Sequence, residues 1–268
     1  MSEFVNDIIT SRQNPLITRL AKLSDKKHRD AEGLMRLDGV KLFSEAVKSG
    51  LAVEYVFLAQ SRREKLCAEL ADDLAGAGGR IYTVADPVLE KLTDEKAPQG
   101  IVAFCRYFDV SRTVDADASR TLLLSSIRDP GNLGTMIRTA YALGIDRVYI
   151  SADCADLYSP KTLRAAMGTI FRQPLTVVED ERTLIADLRG NGIAVYAAAL
   201  RENAVKLGSV PLPERVCVAI GNEGHGLSDE VIDACTGTMI IPMNPGCESL
   251  NAASAATVLI WEICRDRL

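Results

Sequence analysis

The second half of this chain alternates apolar segments with helical patterns, and this alternation restricts its fold more than any other feature. Apolar runs at residues 121–127, 147–151, 175–179, 193–199, 215–221 and 238–242 have the length of buried strands. Helical patterns lie at residues 133–143, 162–167, 183–189, 229–235 and 249–265. Near-continuous apolar strands alternating with helices predict an α/β fold with a mostly parallel sheet covered on both faces. Such sheets bind ligands in loops at the carboxyl ends of their strands.

The first part of the chain repeats the alternation on a smaller scale. Strands are predicted at residues 34–37, 53–59, 80–84 and 100–106, and helices at residues 16–23, 40–49, 63–75 and 87–92. Residues 111–120 are polar and resemble a linker in composition. The sequence therefore predicts a domain at residues 1–110, a linker at 111–120 and a second domain at 121–268.

Composition narrows the class of protein. The 268 residues are 47% hydrophobic and 25% charged, with no apolar run long enough to span a bilayer. The N-terminus lacks the pattern of a signal peptide, so we expect a cytoplasmic protein. Seven scattered cysteines without a C-x-x-C spacing, and only two histidines, favour neither disulfides nor a bound metal.

The first of three segments with ligand-site patterns is residues 128–144, RDPGNLGTMIRTAYALG. A turn leads directly into a helix, and the sequence predicts Asn132 as its cap. Arg138 follows on a helix that is otherwise small and apolar. Taken alone, the segment is an ordinary connection from strand to helix, with Arg138 in a surface ion pair.

The second and third segments each follow an apolar strand. Residues 218–228, VAIGNEGHGLS, contain three glycines around Glu223 and allow close approach of the backbone to a ligand. A hairpin is the alternative, but a polar helix follows instead of a second strand. In the third segment, Ile241-Pro242-Met243 ends a strand and Ser249-Leu250-Asn251 begins a helix. A buried terminal helix explains its apolar part but not its polar start.

Together, the three segments resemble the signature motifs of the SpoU (TrmH-like) family of RNA 2′-O-ribose methyltransferases. The motifs read Asn132-Leu133-Gly134 with Arg138-Thr139-Ala140, Gly221-Asn222-Glu223-Gly224-His225-Gly226, and Ile241-Pro242-Met243 with Ser249-Leu250-Asn251. The resemblance covers residues 121–265. It implies a SPOUT-type parallel sheet with a deep trefoil knot, and a homodimer.

The resemblance also implies S-adenosylmethionine as cofactor and assigns roles to particular residues. The residues implied to hold the cofactor are Leu200, Gly221, Asn222, Gly224, Ile241, Met243 and Leu250. Arg138 would act on the 2′-hydroxyl, either as a proton acceptor or as an electrostatic stabiliser. The residues implied to position Arg138, the cofactor and the nucleotide are Asn132, Glu223, Ser249 and Asn251.

The first part of the chain resembles the substrate-binding domain often attached to this family, a small α/β sandwich similar to certain ribosomal RNA-binding proteins. The cues are Ile9-Thr10-Ser11 with Asn14-Pro15, then Asp38-Gly39, then Ala97-Pro98-Gln99-Gly100. The family usually has Glu-Gly at the second position and Ser or Thr in place of Ala97. These departures concern substrate details.

The charge of residues 12–41 differs from that of the whole chain. The net charge of −5 argues against a general polyanion binder, whereas this stretch carries about +4. A solvated helix face and a phosphate-binding face fit it equally well. The candidate RNA-contacting residues are Arg12, Arg19, Lys26, Lys27, Arg29 and Lys41.

Several alternatives follow from the same residues. By analogy alone, the substrate is large-subunit ribosomal RNA, with transfer RNA as second choice. A non-catalytic RNA-binding protein would not need Arg138 or the cofactor loops. A nucleotide-binding oxidoreductase is disfavoured because G-x-G-x-x-G is absent, and a Rossmann-type methyltransferase because no E-x-G-x-G follows the first strand.

Overall fold

A computed structural model of the chain describes residues 3–244, 246 and 249–267. These residues form two compact units. The first comprises the described residues up to Phe108 together with Asp156–Phe171, and the second comprises Asp109–Ala155 and the described residues from Arg172 onward. Within the described ranges, every helix is too short or too polar to cross a membrane.

The first unit contains a mixed five-stranded sheet in the order β1-β4-β3-β5-β2. Its elements up to Arg106 are β1 (Glu3–Phe4), α1 (Pro15–Ala21), α2 (Lys26–Glu32), β2 (Leu34–Asp38), α3 (Val40–Lys48), β3 (Val53–Ala59), α4 (Arg63–Glu69), α5 (Ala71–Gly76), β4 (Arg80–Val84), α6 (Asp86–Leu92) and β5 (Ile101–Arg106). Strand β5 is antiparallel to β3 and β2, while β1, β4 and β3 are parallel. The predicted strands are confirmed, and the predicted helix at 63–75 is divided at Leu70.

Helix α2 was missed by sequence patterning because its only buried side chain is charged. Arg29 is 3% exposed. Its Nη1 donates to the carbonyls of Leu23 and Ser24 at 2.8 and 2.7 Å, and its Nη2 donates to Asp156 at 2.6 Å. A helix anchored by an arginine has no apolar period. The predicted contact of Arg29 with RNA requires an exposed guanidinium, and the guanidinium of Arg29 is buried.

Two sequence cues of the first unit meet at the start of α3. Gln99 Oε1 accepts a hydrogen bond from the backbone N of Val40 at 3.0 Å. Gly39 has a φ of +90°, and a Cβ at this position would lie 2.8 Å from Gln99 Oε1. The Asp-Gly and Pro-Gln-Gly segments are therefore packed together, and glycine is required between them.

The second unit contains a seven-stranded, entirely parallel sheet in the order β10-β12-β9-β11-β6-β7-β8. The remaining elements of the chain, among which α8 belongs to the first unit, are β6 (Arg120–Leu124), α7 (Pro130–Ala142), β7 (Arg147–Ser151), α8 (Pro160–Ala166), β8 (Leu175–Val178), α9 (Glu181–Gly190), β9 (Ala194–Ala198), β10 (Val205–Lys206), β11 (Val216–Ile220), α10 (Asp229–Ala234), β12 (Gly237–Ile240) and α11 (Ala252–Cys264). The predicted α/β class and parallel sheet are confirmed; only the two-residue β10 was not predicted. Ser111, within the predicted linker, exchanges backbone hydrogen bonds with Leu175 and Val177 of β8 at 3.1 and 3.0 Å.

Strand β11 occupies the centre of this sheet, between β9 and β6. Ile220 lies opposite Leu124 of β6, and Ala219 lies opposite Ala197 of β9. Every residue of β11 is buried. Because the strands are parallel, the loops that follow β6, β9 and β11 emerge at one edge of the sheet, which is where the motif segments begin.

Helix α8 is held in the first unit by ion pairs. Arg164 contacts Asp38 at 3.0 Å and Glu95 at 2.9 Å. Asp38 also contacts the buried Arg36 at 3.2 Å, and Arg36 reaches Asp94 at 2.5 Å. Pairing each buried charge with an opposite one offsets the cost of removing it from water.

The six cysteines that the structure describes are free thiols, and Cys247 lies outside the described residues. Burial raises the pKa of Cys217 to about 12 and that of Cys235 and Cys264 to about 11. These thiols therefore stay protonated and pack as small apolar groups. Among the described side chains, no cluster of three or more His, Cys, Asp or Glu residues is arranged to hold a metal ion.

Candidate active site

The first motif forms the start of α7. The helix is capped by Asp129 and not by Asn132 as predicted: the Asp129 Oδ1 accepts from the backbone N of Asn132 at 2.9 Å. Pro130 takes the first helical position, where its missing N–H has no intrahelical partner to lose. Asn132 therefore lies in the first turn, and its side chain is available for contacts outside the helix.

The side chain of Asn132 connects all three motifs. Its Nδ2 donates to Glu223 Oε1 at 2.9 Å, and its Oδ1 accepts from Asn251 Nδ2 at 3.3 Å. Asn251 is the cap of α11, since its Oδ1 accepts from the backbone N of Ala253 and Ser254 at 2.9 and 3.2 Å. Three of the predicted site residues are thus joined by hydrogen bonds, although they are far apart in sequence.

The second motif folds into a closed loop after β11. Asn222 and Gly226 exchange backbone hydrogen bonds at 3.1 and 2.9 Å. The Asn222 Oδ1 also accepts from the backbone N of Gly224 and His225 at 2.8 and 3.2 Å. A Cβ on Gly221 would lie 2.2 Å from the carbonyl carbon of Gly226. Only glycine therefore fits at position 221, and the loop returns directly over it.

A cavity of about 460 Å³ lies among the loops that follow β9, β11 and β12. This volume is typical of small-molecule sites. Of the predicted cofactor residues, all but Gly224 line it: Leu200, Gly221, Asn222, Ile241, Met243 and Leu250, together with Glu223 and Ser249. Leu200 is 72% exposed, Leu250 39% and Met243 37%. Exposed apolar side chains around a close-packed glycine loop fit the flat adenine ring of a nucleoside cofactor.

Sequence reasoning missed a charged pair that lines the same cavity. Arg201, next to Leu200, forms an ion pair with Asp229 at the start of α10. Neither residue belongs to a motif. Their contact depends on how the loop after β9 meets the loop before α10, so no local pattern indicates it.

Arg138 stands apart from the hydrogen-bonded residues. It lies further along α7 and is exposed, and no other described residue forms a hydrogen bond or ion pair with its side chain. The structure therefore does not bring it into bonding contact with Asn132 or Glu223. An exposed, unpaired guanidinium is suited to bind an anion such as a phosphate.

Five of the six predicted RNA-contacting residues are exposed: Arg12, Arg19, Lys26, Lys27 and Lys41. Three of them pair with neighbouring acids: Arg19 with Glu32 at 3.7 Å, Lys26 with Asp30 at 2.8 Å and Lys41 with Glu45 at 2.6 Å. The Lys26–Asp30 pair is exposed on both sides, and such pairs are weak and exchange readily for a phosphate, whereas Glu45 is buried and holds Lys41 more firmly. The side chains of Arg12 and Lys27 form no ion pair with the described residues.

Comparison with known proteins agrees with this arrangement. Residues 119–261 match the SpoU rRNA Methylase family, and residues 14–103 match the MRM3-like substrate binding domain. The 23S rRNA (guanosine(2553)-2′-O)-methyltransferase RlmP of Bacillus subtilis (strain 168) is 31% identical over 255 residues, covering 95% of this chain and 98% of that protein.

Two solved structures are similar over almost the whole chain. One is an AdoMet-bound rRNA methyltransferase from Sinorhizobium meliloti, with a TM-score of 0.85, 28% identity and 98% of both chains covered. The other is the SpoU methyltransferase AviRb from Streptomyces viridochromogenes in complex with AdoMet, with a TM-score of 0.82, 27% identity and 95% and 98% coverage of this chain and that one.

A parallel sheet with three motif loops joined beside one cavity, together with these matches, defines an RNA methyltransferase. The chain belongs to the SpoU rRNA Methylase family.

Replacing Gly221 by alanine tests whether the second-motif loop holds the cofactor. We expect Gly221→Ala to weaken S-adenosylmethionine binding by ~10-fold or more, measured by calorimetry, because the new Cβ displaces the backbone of Gly226. Gly190→Ala is the control, since a Cβ there meets nothing within 4 Å. Equal affinities in the two variants would show that the cofactor does not depend on this loop.

Proposed function

We propose that this chain transfers a methyl group from S-adenosylmethionine to the 2′-oxygen of a ribose in large-subunit ribosomal RNA. The observation that carries the proposal is the junction at Asn132, which joins the three motifs beside a cavity of cofactor size. RlmP supports large-subunit RNA over transfer RNA, because its name states 23S rRNA 2′-O-methylation and it matches this chain over nearly its full length.

The cofactor would be held by residues of the cavity. The loop over Gly221 would offer backbone groups to the adenine and ribose, and Leu200 and Leu250 would cover the ring with apolar surface. When bound, S-adenosylmethionine supplies an activated methyl group on a positively charged sulfur. Glu223, held by Asn132, has its carboxylate at the cavity wall and would complement that charge.

The remaining task of the protein is to align the 2′-oxygen, lower its proton affinity and exclude water. Arg138 is the cation available for it, since its guanidinium is exposed and unpaired among the described residues. A guanidinium gives up its proton only reluctantly. We therefore favour Arg138 as a stabiliser of negative charge on the phosphate and the 2′-oxygen over a role as proton acceptor.

We propose residues 1–110 as the RNA-binding domain, residues 111–120 as its connection, and residues 121–268 as the catalytic domain, although residues 111–120 pack in the second compact unit and Asp156–Phe171 packs in the first. The two family matches support this division, since they cover residues 14–103 and 119–261. In the first domain, the exposed residues Arg12, Arg19, Lys26, Lys27 and Lys41 would contact phosphates. With ribosomal RNA as substrate, we propose a cytoplasmic location.

We also propose a homodimer that buries the exposed apolar side chains of α7 and α11. These helices pack against each other, and Tyr141, Val258 and Trp261 on them are 40%, 39% and 50% exposed. Large apolar side chains clustered at a surface are typical of interfaces. We also propose that the second unit contains the trefoil knot that the family resemblance implies.

The reaction itself is tested with tritiated S-adenosylmethionine and bulk RNA from a strain that lacks this protein. We expect label in ribosomal RNA of the large subunit, recovered after alkaline digestion as a resistant 2′-O-methylated dinucleotide. Label on a base would retain a methyltransferase but reject ribose chemistry. Label only in transfer RNA would replace the substrate, and absence of both transfer and cofactor binding would favour the non-catalytic alternative.

Arg138→Ala tests the role of the unpaired guanidinium. We expect the variant to fold and dimerise but to lose methyl transfer by ~10²-fold or more, because the charge that develops in the transition state loses its partner. Arg112→Ala, at an exposed arginine paired with Glu179, serves as control in the same assay. Full turnover by Arg138→Ala would remove Arg138 from the mechanism.

Trp261→Glu tests the proposed dimer. A carboxylate at a side chain that is 50% exposed costs the monomer little but opposes burial against a second copy. We expect the wild type to elute as a dimer and the variant as a folded monomer, measured by light scattering after gel filtration. A dimer of unchanged stability would place the interface elsewhere.

A further inference from the structure

The turn before the first motif is held in a strained conformation. Ser126 follows β6 and has a φ of +54°, a region that is unfavourable for a residue other than glycine. Each of its polar atoms is hydrogen-bonded. Its backbone N donates to Ser151 Oγ at 2.8 Å, its Oγ donates to Asp153 at 2.6 Å, and its carbonyl accepts from Asn222 Nδ2 at 2.8 Å. Backbone strain of this kind persists only where several contacts impose it.

Asp153, in the loop after β7, anchors this turn. Its Oδ2 accepts from Ser126 Oγ and from Arg128 Nη2 at 2.6 and 2.7 Å, and its Oδ1 accepts from Ser151 Oγ at 2.6 Å. Burial raises the pKa of Asp153, but the hydrogen bonds from Ser126 and Ser151 outweigh this and hold the pKa below its usual value. One ionised carboxylate therefore holds the hydroxyls of Ser126 and Ser151 and also pairs with Arg128, immediately before the cap of α7.

Asn222 connects the same turn to the second motif. Its Nδ2 binds the carbonyl of Ser126, while its Oδ1 accepts from Gly224 and His225 and shapes the loop. The neighbouring Glu223 accepts from Asn132, which follows the turn on α7. The first and second motifs are thus joined twice, and one of the two connections passes through Ser126.

We infer that Ser126 and Asp153 are positioning residues for methyl transfer, which set the place of Asn132 relative to the Gly221–Gly226 loop. Neither residue lines the cavity, and neither belongs to the three motifs. The inference rests on the proposed function. Its physical basis is that rigid support of a reacting geometry matters at the scale of 1 Å, where a displacement can cost ~10²-fold in rate.

The chain offers a matched control at the other end of the same strand. Ser119 directly precedes β6, and its Oγ donates to Asp146 at 3.1 Å and accepts from Arg267 Nη2 at 2.6 Å. Ser119→Ala and Ser126→Ala therefore each remove a serine–aspartate hydrogen bond beside β6, and Ser119→Ala also removes the bond from Arg267. Only the bond of Ser126 supports the motif loops, so a purely structural contribution would affect Ser119→Ala at least as strongly as Ser126→Ala.

The experiment compares both variants of the full chain with the wild type, using the RNA identified by the tritium assay. We expect the midpoint of thermal unfolding to fall no further in Ser126→Ala than in Ser119→Ala, whose hydroxyl loses two hydrogen bonds. We expect kcat to fall by ~10-fold to 10²-fold in Ser126→Ala, with KM for RNA unchanged, and to stay at the wild-type value in Ser119→Ala. A kcat for Ser126→Ala equal to that of Ser119→Ala would overturn the inference.

Two further variants separate the hydrogen bond from the backbone strain. Ser126→Gly adopts the positive φ without strain but lacks the hydroxyl, and Asp153→Asn keeps the shape of the side chain without its charge. We expect both to have the low kcat of Ser126→Ala. Wild-type turnover in either variant would reject Asp153 as the anchor. Absence of transfer in the wild type would reject the proposed function instead, so the two failures are distinguishable.

Discussion

The parallel pairing of β11 with β6 on one side and β9 on the other is the constraint on which the site depends. In this register Ile220 lies opposite Leu124, so β6 and β11 end side by side at the same edge of the sheet. The loops that follow must share one space, and their polar atoms must be satisfied there. The motif residues meet because the ladder ends there, and their own hydrogen bonds then complete the arrangement.

Hydrogen bonds between loops replace regular structure at this edge of the sheet. Asn222 satisfies two backbone N–H groups of its own loop and the carbonyl of Ser126, and Asn132 accepts from one partner and donates to another. Amide side chains suit such junctions because they both donate and accept. The same contacts keep Ser126 at its unfavourable φ, so the rigidity of the site comes at the cost of local strain.

The first unit buries charged side chains beside its apolar core. Arg29 and Arg36 are 3% and 2% exposed, and both are paired with aspartates. A buried arginine is tolerated because its planar group satisfies several acceptors at once. Arg29 therefore serves the fold, whereas exposed residues such as Arg12 and Lys27 are free for the proposed contact with phosphate.

The sequence by itself determined the parallel sheet and, apart from β10, the order of strands and helices in the second unit, because apolar periodicity is a local property. The cavity residues that it indicated, such as Gly221 and Leu250, followed from the resemblance of three motifs to a known family. Tertiary structure decided the buried Arg29 that anchors α2, the Arg201–Asp229 pair and the strained Ser126. Each of these depends on contacts between segments distant in the chain, and the free energy of such contacts overrides local preference without leaving a periodic signal in the sequence.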